Sequence, residues 1–262
     1  MGARAARARD GVRRGIMIEE EREDLELQRM TRRSLLGAAG GILTAGAGLG
    51  WLMTRSKEGQ LPWPLRRMLE FNETFGTSVV GVDALAPDAS SLPLTQPPRV
   101  NGRIGRGSVP PASEYALRIS IGGRTVAALS LTDVMALPKT VLTTEMKCVE
   151  GWSQVVRWGG VKLSDLLASA VGSQESKYVQ TVSLDGKYFV GLDWRSAIHP
   201  QTLVCYELNG APLPALHGAP LRVYLTNKYG YKSLKWLGEI RLTSNRPKDY
   251  WAERGYDWFG GL

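Results

Sequence analysis

Apolar and polar positions alternate most clearly in the second half of the chain. In YALRISI (115–121), Tyr115, Leu117, Ile119 and Ile121 alternate with Arg118 and Ser120, the period of a half-buried strand. Gly122-Gly123 supplies a two-residue hairpin turn into RTVAALS. LSLTDVMALP predicts a short helix with Thr132 as N-cap, Asp133 in the first turn and Pro138 as the stop. KLSDLLASAVG predicts another, capped by Ser164, with Leu166, Leu167, Ala170 and Val171 on one face. YVQTVSL and KYFVGLDW flank Asp185-Gly186 as a second hairpin. LRVYLTN (221–227) puts Leu221, Val223 and Leu225 on one face and Arg222 and Tyr224 on the other, and EIRLTS (239–244) reads as a further strand. TLVCYEL, around Cys205, is strand-like. Strands and short helices without regular β–α–β alternation predict a mixed, sheet-rich α+β fold.

Upstream the periodicity fades. PLRRMLEFNETFG (64–76) predicts a short helix or turn through Leu65, Met68, Leu69 and Phe71. Residues 85–111 are rich in proline and predict an ordered loop over the surface. The glycines of NGRIGRG (101–107) lack the strand–turn–helix setting of a dinucleotide site and read as loop. The chain carries neither an internal repeat nor a phosphate-binding P-loop.

Residues 34–53 hold no charge and directly follow Arg32-Arg33. An arginine pair before a Gly/Ala-rich apolar stretch resembles a twin-arginine export signal. The other reading is a membrane anchor, made weak by glycines that lower helicity and hydrophobicity. Thr44-Ala45-Gly46-Ala47 offers a small-residue cleavage site, and cleavage and retention both stay open. Either way the arginines hold the N-terminus inside and deliver the rest outside. The expected division is a tail and signal or anchor over 1–53 and one domain over 54–262. The location expected is periplasmic or extracytoplasmic, with the twin-arginine translocase as a partner. That route carries folded proteins, so a preloaded cofactor becomes a leading question.

Composition narrows the classes. The 262 residues are 43% hydrophobic with 8 Trp, enough apolar material for a core, which excludes general disorder. The formal net charge of +8 suits an anionic substrate or cofactor, an acidic membrane surface, or plain solubility. No basic run carries interleaved aromatics, so nucleic acid is not favoured. Two Cys and two His leave little for a disulfide framework or a structural zinc site. Cys148, in EMKCVEGW, has three readings on its own: a disulfide with Cys205, an inert buried thiol, or a thiolate metal ligand. Lys147 and Arg157 could favour the thiolate.

Longer motifs change those odds. KCVEGWSQVVRWGGVKLSDLL (147–167), HPQTLVCYELNG (199–210), LHGAPLRVYLTNKYGYKSLKWLGEIRLT (216–243) and RPKDYWAERGYDW (246–258) together resemble the molybdopterin-binding domain of the sulfite oxidase superfamily, nearest to its exported bacterial members. The resemblance runs from about Asn72 to Trp258. It implies a molybdenum–molybdopterin cofactor with Cys148 as the protein's metal ligand and catalytic residue. It places Asn72, Ser183, His217, Arg222, Ser233, Leu234 and Lys235 against the pterin; Asn72 stands before the Phe75-Gly76 pair. The aromatic tail WAERGYDWFGG is expected to pack over the cofactor, and His199 to be structural. Lys228 and Lys232 stay open between surface and ligand.

The implied activity is oxygen-atom transfer to or from a sulfoxide or another small sulfur- or nitrogen-containing substrate. Without the dimerisation and haem domains of some sulfite oxidases, and without a CxxCH haem motif, electrons would pass through a separate partner, such as a membrane cytochrome. Two other readings stay open: a non-catalytic binding or scaffold module on this fold, and an exported anion-binding protein.

Overall fold

The computed structural model describes residues 30–80 and 82–262. The N-terminal lead before Met30 lies outside the described residues. The chain divides into two compact units, one ending at Ser56 and one running from Lys57 to Leu262. In the first, helix α1 (Met30–Met53) is long and apolar enough to cross a membrane, and none of it is buried.

The second unit opens with a small ribbon, β1 (Lys57–Glu58) and β2 (Leu61–Pro62), followed by helix α2 (Trp63–Val80). That helix is longer than the 64–76 pattern predicts. Its C-terminal turns, GTSVV, carry no strong helical periodicity and were invisible to that reading. Residues 85–111 then form no helix or strand, as their prolines require.

Two sheets make the body. The first comprises β3 (Ala116–Ile121), β4 (Arg124–Ser130), β7 (Tyr178–Ser183), β8 (Phe189–Asp193) and β12 (Leu237–Thr243), in the order β4-β3-β12-β7-β8. All its pairings are antiparallel except β12 with β3, which is parallel. The second comprises β5 (Lys139–Lys147), β6 (Ser153–Lys162), β9 (Thr202–Leu208), β10 (Ala211–Pro212) and β11 (Arg222–Leu225). Here β9 is the hub, pairing with β6, β10 and β11. Short helices α3 (Leu131–Met135), α4 (Leu163–Val171) and α5 (Trp194–Ile198) fill the connections. The fold is α+β and sheet-rich, as the strand pattern predicts.

The main core joins Leu117 and Ile119 of the first sheet to Val204, Val223 and Leu225 of the second, with Leu163, Leu166 and Leu167 of α4 between them. A second cluster on the other face of the second sheet holds Met146, Trp158, Cys205 and Tyr224. Strand β11 therefore shows the predicted alternation: Val223 and Leu225 enter one core, and Tyr224 the other. Burial of each such side chain contributes about 1.5–3 kcal/mol.

Three local expectations are corrected. The N-cap of α3 is Ser130, not Thr132. The Ser130 Oγ accepts from the Asp133 N–H at 3.1 Å, and the Asp133 carboxylate accepts from the Ser130 N–H at 2.8 Å. This reciprocal box needs the acid three residues after the cap, and only Ser130 meets that spacing. The N-cap position of α4 is Lys162, without a side-chain bond, and Ser164 sits inside the first turn. The long hairpin β5–β6 was not anticipated. Gly159 and Gly160 interrupt its pattern because β9 passes against them: a Cβ on Gly160 would lie 2.2 Å from the Val204 carbonyl oxygen. Cys148 and Cys205 are both free thiols, so the disulfide reading is set aside.

The C-terminal tail is tied to the first sheet by a buried ion pair. Lys232 Nζ donates to Asp249 Oδ2 at 2.6 Å and to the Gly191 carbonyl oxygen at 2.7 Å, with both side chains 1% exposed. It also donates to the Trp258 carbonyl oxygen. Asp249 further accepts from the N–H groups of Gly191, Trp251 and Ala252. Lys232→Met should destabilise the protein by about 3–5 kcal/mol, because it strands a buried carboxylate; urea unfolding measures this. Loss below about 1 kcal/mol would show that the carboxylate is satisfied without the lysine.

Candidate functional site

Cys148 lies one residue beyond β5, at the tip of the β5–β6 hairpin. The turn closes through Cys148 N–H to the Trp152 carbonyl oxygen at 2.9 Å and Gly151 N–H to the Cys148 carbonyl oxygen at 3.0 Å. Gly151 has φ +85°, a conformation that favours glycine. The two strands thus hold the thiol at a fixed point on the wall of a cavity of about 120 Å³. Ser233 and Lys235 line the same cavity, with Asn101, Tyr188, Trp251 and Tyr256.

Ser233 and Lys235 belong to a laced pair of segments that continues behind the cavity. His217 ends a 3-10 turn (Ala215–His217), and Arg222 follows at the start of β11. The Arg222 guanidinium is buried. Its Nη1 donates to the His217 carbonyl oxygen at 3.0 Å and its Nη2 to the Ser233 carbonyl oxygen at 3.4 Å. Its plane lies 4.5 Å from the Trp158 ring centroid, and its Nε is buried without a partner. Lys235 Nζ donates to the carbonyl oxygens of Leu216 at 3.1 Å and Gly102 at 2.8 Å. Gly218 allows this closeness: a Cβ there would lie 2.8 Å from the Lys235 Cβ. The Ser233 Oγ accepts from the Leu225 N–H at 3.3 Å. Leu234 is fully buried in the main core, so only its backbone faces the segment.

Arg222, Lys235 and His217 gather basic groups here, while Glu150 lines the cavity beside Cys148. Burial draws Arg222 down to about 10. Burial, then the charges of Arg222 and Arg103, draw Lys235 down to about 7. Burial, then Arg222 and Lys235, hold His217 down at about 4. Among the described residues, no carboxylate forms an ion pair with any of the three. Desolvated cations without counter-charges are costly, and an entering anion removes the cost.

The remaining expected residues lie at different distances from this centre. Ser183 closes the β7–β8 turn, donating to Asp185 Oδ1 at 2.8 Å and accepting from the Tyr188 N–H at 3.0 Å. Tyr188 carries that turn to the cavity wall. Asn72 is elsewhere: on α2, it lines a separate cavity of about 820 Å³ with Glu73, Lys147 and Asn227. The larger cavity does not contain Cys148; Lys147, the residue before it, faces that side. Lys232 is committed to Asp249, and Lys228 is buried beside Asp193 at 3.8 Å. Among the described residues no group of three or more His, Cys, Asp or Glu could hold a metal. A metal here would arrive with most of its own ligands.

Sequence reasoning missed Asn101 and Tyr188. Tyr188 lay within an ordinary strand pattern, whereas NGRIGRG carried a signal, three glycines in seven residues, whose structural purpose was not legible. The aromatic tail fared better: Trp251 and Tyr256 stand on the cavity wall.

Comparison with known proteins assigns the family. Residues 106–251 match the family model for the oxidoreductase molybdopterin binding domain. The YedZ1 subunit of Azospira oryzae, named for a protein-methionine-sulfoxide reductase, is 31% identical over 199 residues, 75% of this chain and 76% of that one. The protein-methionine-sulfoxide reductase catalytic subunit MsrP of Xanthomonas campestris is 33% identical over 156 residues, 54% of this chain and 48% of that one. Its counterpart from Xanthomonas axonopodis is 38% identical over 122 residues, 41% of this chain and 38% of that one. The matched stretch therefore spans less than half the length of either MsrP subunit. The crystal structure of the sulfane dehydrogenase SoxCD from Paracoccus pantotrophus aligns over 52% of this chain and 40% of that one, with TM-score 0.47 and 19% identity. That likeness is slight, and the assignment stands on the sequence matches. The chain belongs to the oxidoreductase molybdopterin binding domain family and is a molybdopterin-dependent oxidoreductase of the sulfite oxidase type.

Proposed function

We propose that this chain is an exported enzyme that transfers an oxygen atom to or from a sulfoxide or another small sulfur- or nitrogen-containing substrate. One observation carries the reading: a lone thiol, Cys148, shares a cavity with Lys235, and behind Lys235 lies the buried Arg222, neither cation having a carboxylate partner. A sulfoxide heads the substrate classes because similar chains are named as methionine-sulfoxide reductase subunits. Residues 54–262 would form the cofactor domain and residues 1–53 the address. The enzyme would work in the periplasm or at the outer membrane face, with a separate electron partner such as a membrane cytochrome.

The residues present fit molybdenum–molybdopterin. Its metal already has sulfur ligands, and one soft thiolate completes the set. Its phosphate matches Arg222 and Lys235, and the orphaned Arg222 Nε is a donor still to be used. When bound, the cofactor supplies a metal that changes oxidation state as the substrate gains or loses oxygen. The chain does the rest. Cys148 would hold the metal from the rigid hairpin tip. His217, neutral above about 4, would offer a ring nitrogen without adding charge. Ser233 and Leu234 would act through backbone groups, and Ser183 through its turn. Trp251 and Tyr256 would exclude water from the cavity side. Asn72 would contribute from α2 only if the pterin extends toward the larger cavity.

Purified chain from a host that makes the cofactor should carry molybdenum near one atom per chain, and Cys148→Ser should abolish turnover. A hydroxyl is too hard a donor to replace the thiolate. Full turnover in the Ser variant would remove Cys148 from the reaction.

Arg222→Met and Lys235→Met should each weaken cofactor retention. A charge-assisted hydrogen bond contributes roughly 1.5–3 kcal/mol, or about ten- to a hundredfold. The readout is cofactor occupancy after dialysis, and equal occupancy in both variants would refute the phosphate assignment. In cofactor-free protein, Lys235 gives up its proton near 7, whereas the unfolded chain keeps it to about 10.5. The unfolded state then binds more protons across that window. Stability should therefore rise with pH between about 7 and 10.5, with the full penalty present below 7. Lys235→Met should flatten the rise, as urea midpoints measured across that window would reveal.

Arg32→Lys with Arg33→Lys should trap folded, loaded protein in the cytoplasm. Lysine keeps the charge but loses the planar fork of donors that twin-arginine recognition reads. Fractionation is the test. Wild-type amounts outside the cytoplasm would mark α1 as an ordinary anchor or secretory signal, whose topology follows charge alone.

A further inference from the structure

The glycine-rich segment 99–107 crosses the Cys148 cavity as a strap fixed at both ends. At its start, the Arg99 N–H donates to Gln154 Oε1 at 2.7 Å, and the Arg99 guanidinium lies 4.6 Å from the Trp152 ring centroid. Both partners belong to the hairpin that carries Cys148. In the middle, the Gly102 carbonyl oxygen accepts from Lys235 Nζ. At its end, Gly105, with φ +93°, lies so close to the β7–β8 turn that a Cβ would stand 2.8 Å from the Ser183 Cβ. Gly107 repeats this: its Cβ would stand 2.6 Å from the Asp185 Cβ. The strap therefore touches the thiol hairpin, the cation segment and the Ser183 turn, the three parts of the site.

Between these fixed points stands Asn101. Its side-chain Nδ2 donates to the Cys148 Sγ at 3.5 Å, within the longer range of hydrogen bonds to sulfur. A thiolate can only accept, so the amide presents its NH2 group. Neighbours that hydrogen-bond a metal ligand fix its direction and drain charge from it, which tunes the metal. Hydrogen bonds to ligating sulfurs raise reduction potentials.

We infer that the strap 99–107 is part of the active site and that Asn101 is a positioning residue, aiming and tuning the Cys148 sulfur through its amide. The inference rests on the reading of Cys148 as the metal ligand. It also gives the NGRIGRG glycines a reason: side chains at 105 and 107 would lift the strap and carry Asn101 off the sulfur.

The test uses the full chain, cofactor-loaded and cofactor-free. Loaded Asn101→Leu should keep molybdenum near the wild-type content. Its sulfur-to-metal charge-transfer band should move to lower energy, its midpoint potential should fall, and turnover should drop about tenfold. Asn101→Gln, which keeps the amide, should return the band toward wild type. A band and potential in Asn101→Leu identical to wild type would overturn the inference while leaving Cys148 as ligand. Loaded Cys148→Ser with the wild-type band would instead sink the ligand reading, and the role of Asn101 with it. Cofactor-free protein tests the strap separately. Gly105→Val should speed alkylation of Cys148 by a maleimide, located by mass spectrometry, and an unchanged rate would show that the strap does not cover the thiol.

Discussion

A buried guanidinium without a carboxylate is the constraint on which the site depends. Arg222 sits on the face of the second sheet turned away from the main core, stacked on Trp158 and bonded only to backbone carbonyl oxygens. Those oxygens belong to His217 and Ser233, on two segments that are also tied by the Trp236 N–H to the Gly218 carbonyl oxygen and by the Val223 N–H to the Leu234 carbonyl oxygen. Arg222 adds a charged tie to that backbone frame. Burial first, and its charge second, keep the neighbouring groups short of protons: Lys235 is drawn down to about 7 and His217 to about 4. The tie and this part of the field come from the same atom group, so they cannot be varied independently.

The contrast with Lys232 shows what an anion site requires. Lys232 is as buried as Arg222, but Asp249 compensates it and three backbone groups complete the carboxylate's hydrogen bonds. That pair fastens the tail; it has nothing left to offer a ligand. Arg222 has an unused Nε and a field that no acid cancels. Two buried cations on neighbouring elements thus differ: one is matched by a carboxylate and the other is not.

Much of this was legible in the residues. Alternation along β11 separated Arg222 from Leu221 and Val223 before any coordinates were known. The motif around Cys148 outweighed its ambiguous local chemistry, in which a disulfide with Cys205 stood ahead of a metal ligand. Three things were hidden. The β5–β6 hairpin was masked because Gly159 and Gly160 answer to β9, a partner more than forty residues away in the chain. The cap of α3 was displaced by a reciprocal bond that a single-residue preference does not contain. The placement of Asn72 in the larger cavity, and of Asn101 at the sulfur, depends on how unpatterned chain is routed across the surface. Periodicity reports what a segment buries, not where a loop is fastened.

The bare backbone at Gly160 has reach beyond its own strand. Gly160 faces Cys205 across one ladder, and Cys205 faces Arg222 across the next. Three consecutive strands are thus in register through a position that has no side chain. A single methyl at 160 would have to displace β9, and β9 would take the arginine with it. A side chain at this residue is excluded for a reason unrelated to catalysis, yet its cost would be felt at Arg222. Relatives sharing the fold should be free to diversify the cavity wall while holding this hidden contact constant. A glycine remote from the chemistry thus acts as its alignment gauge.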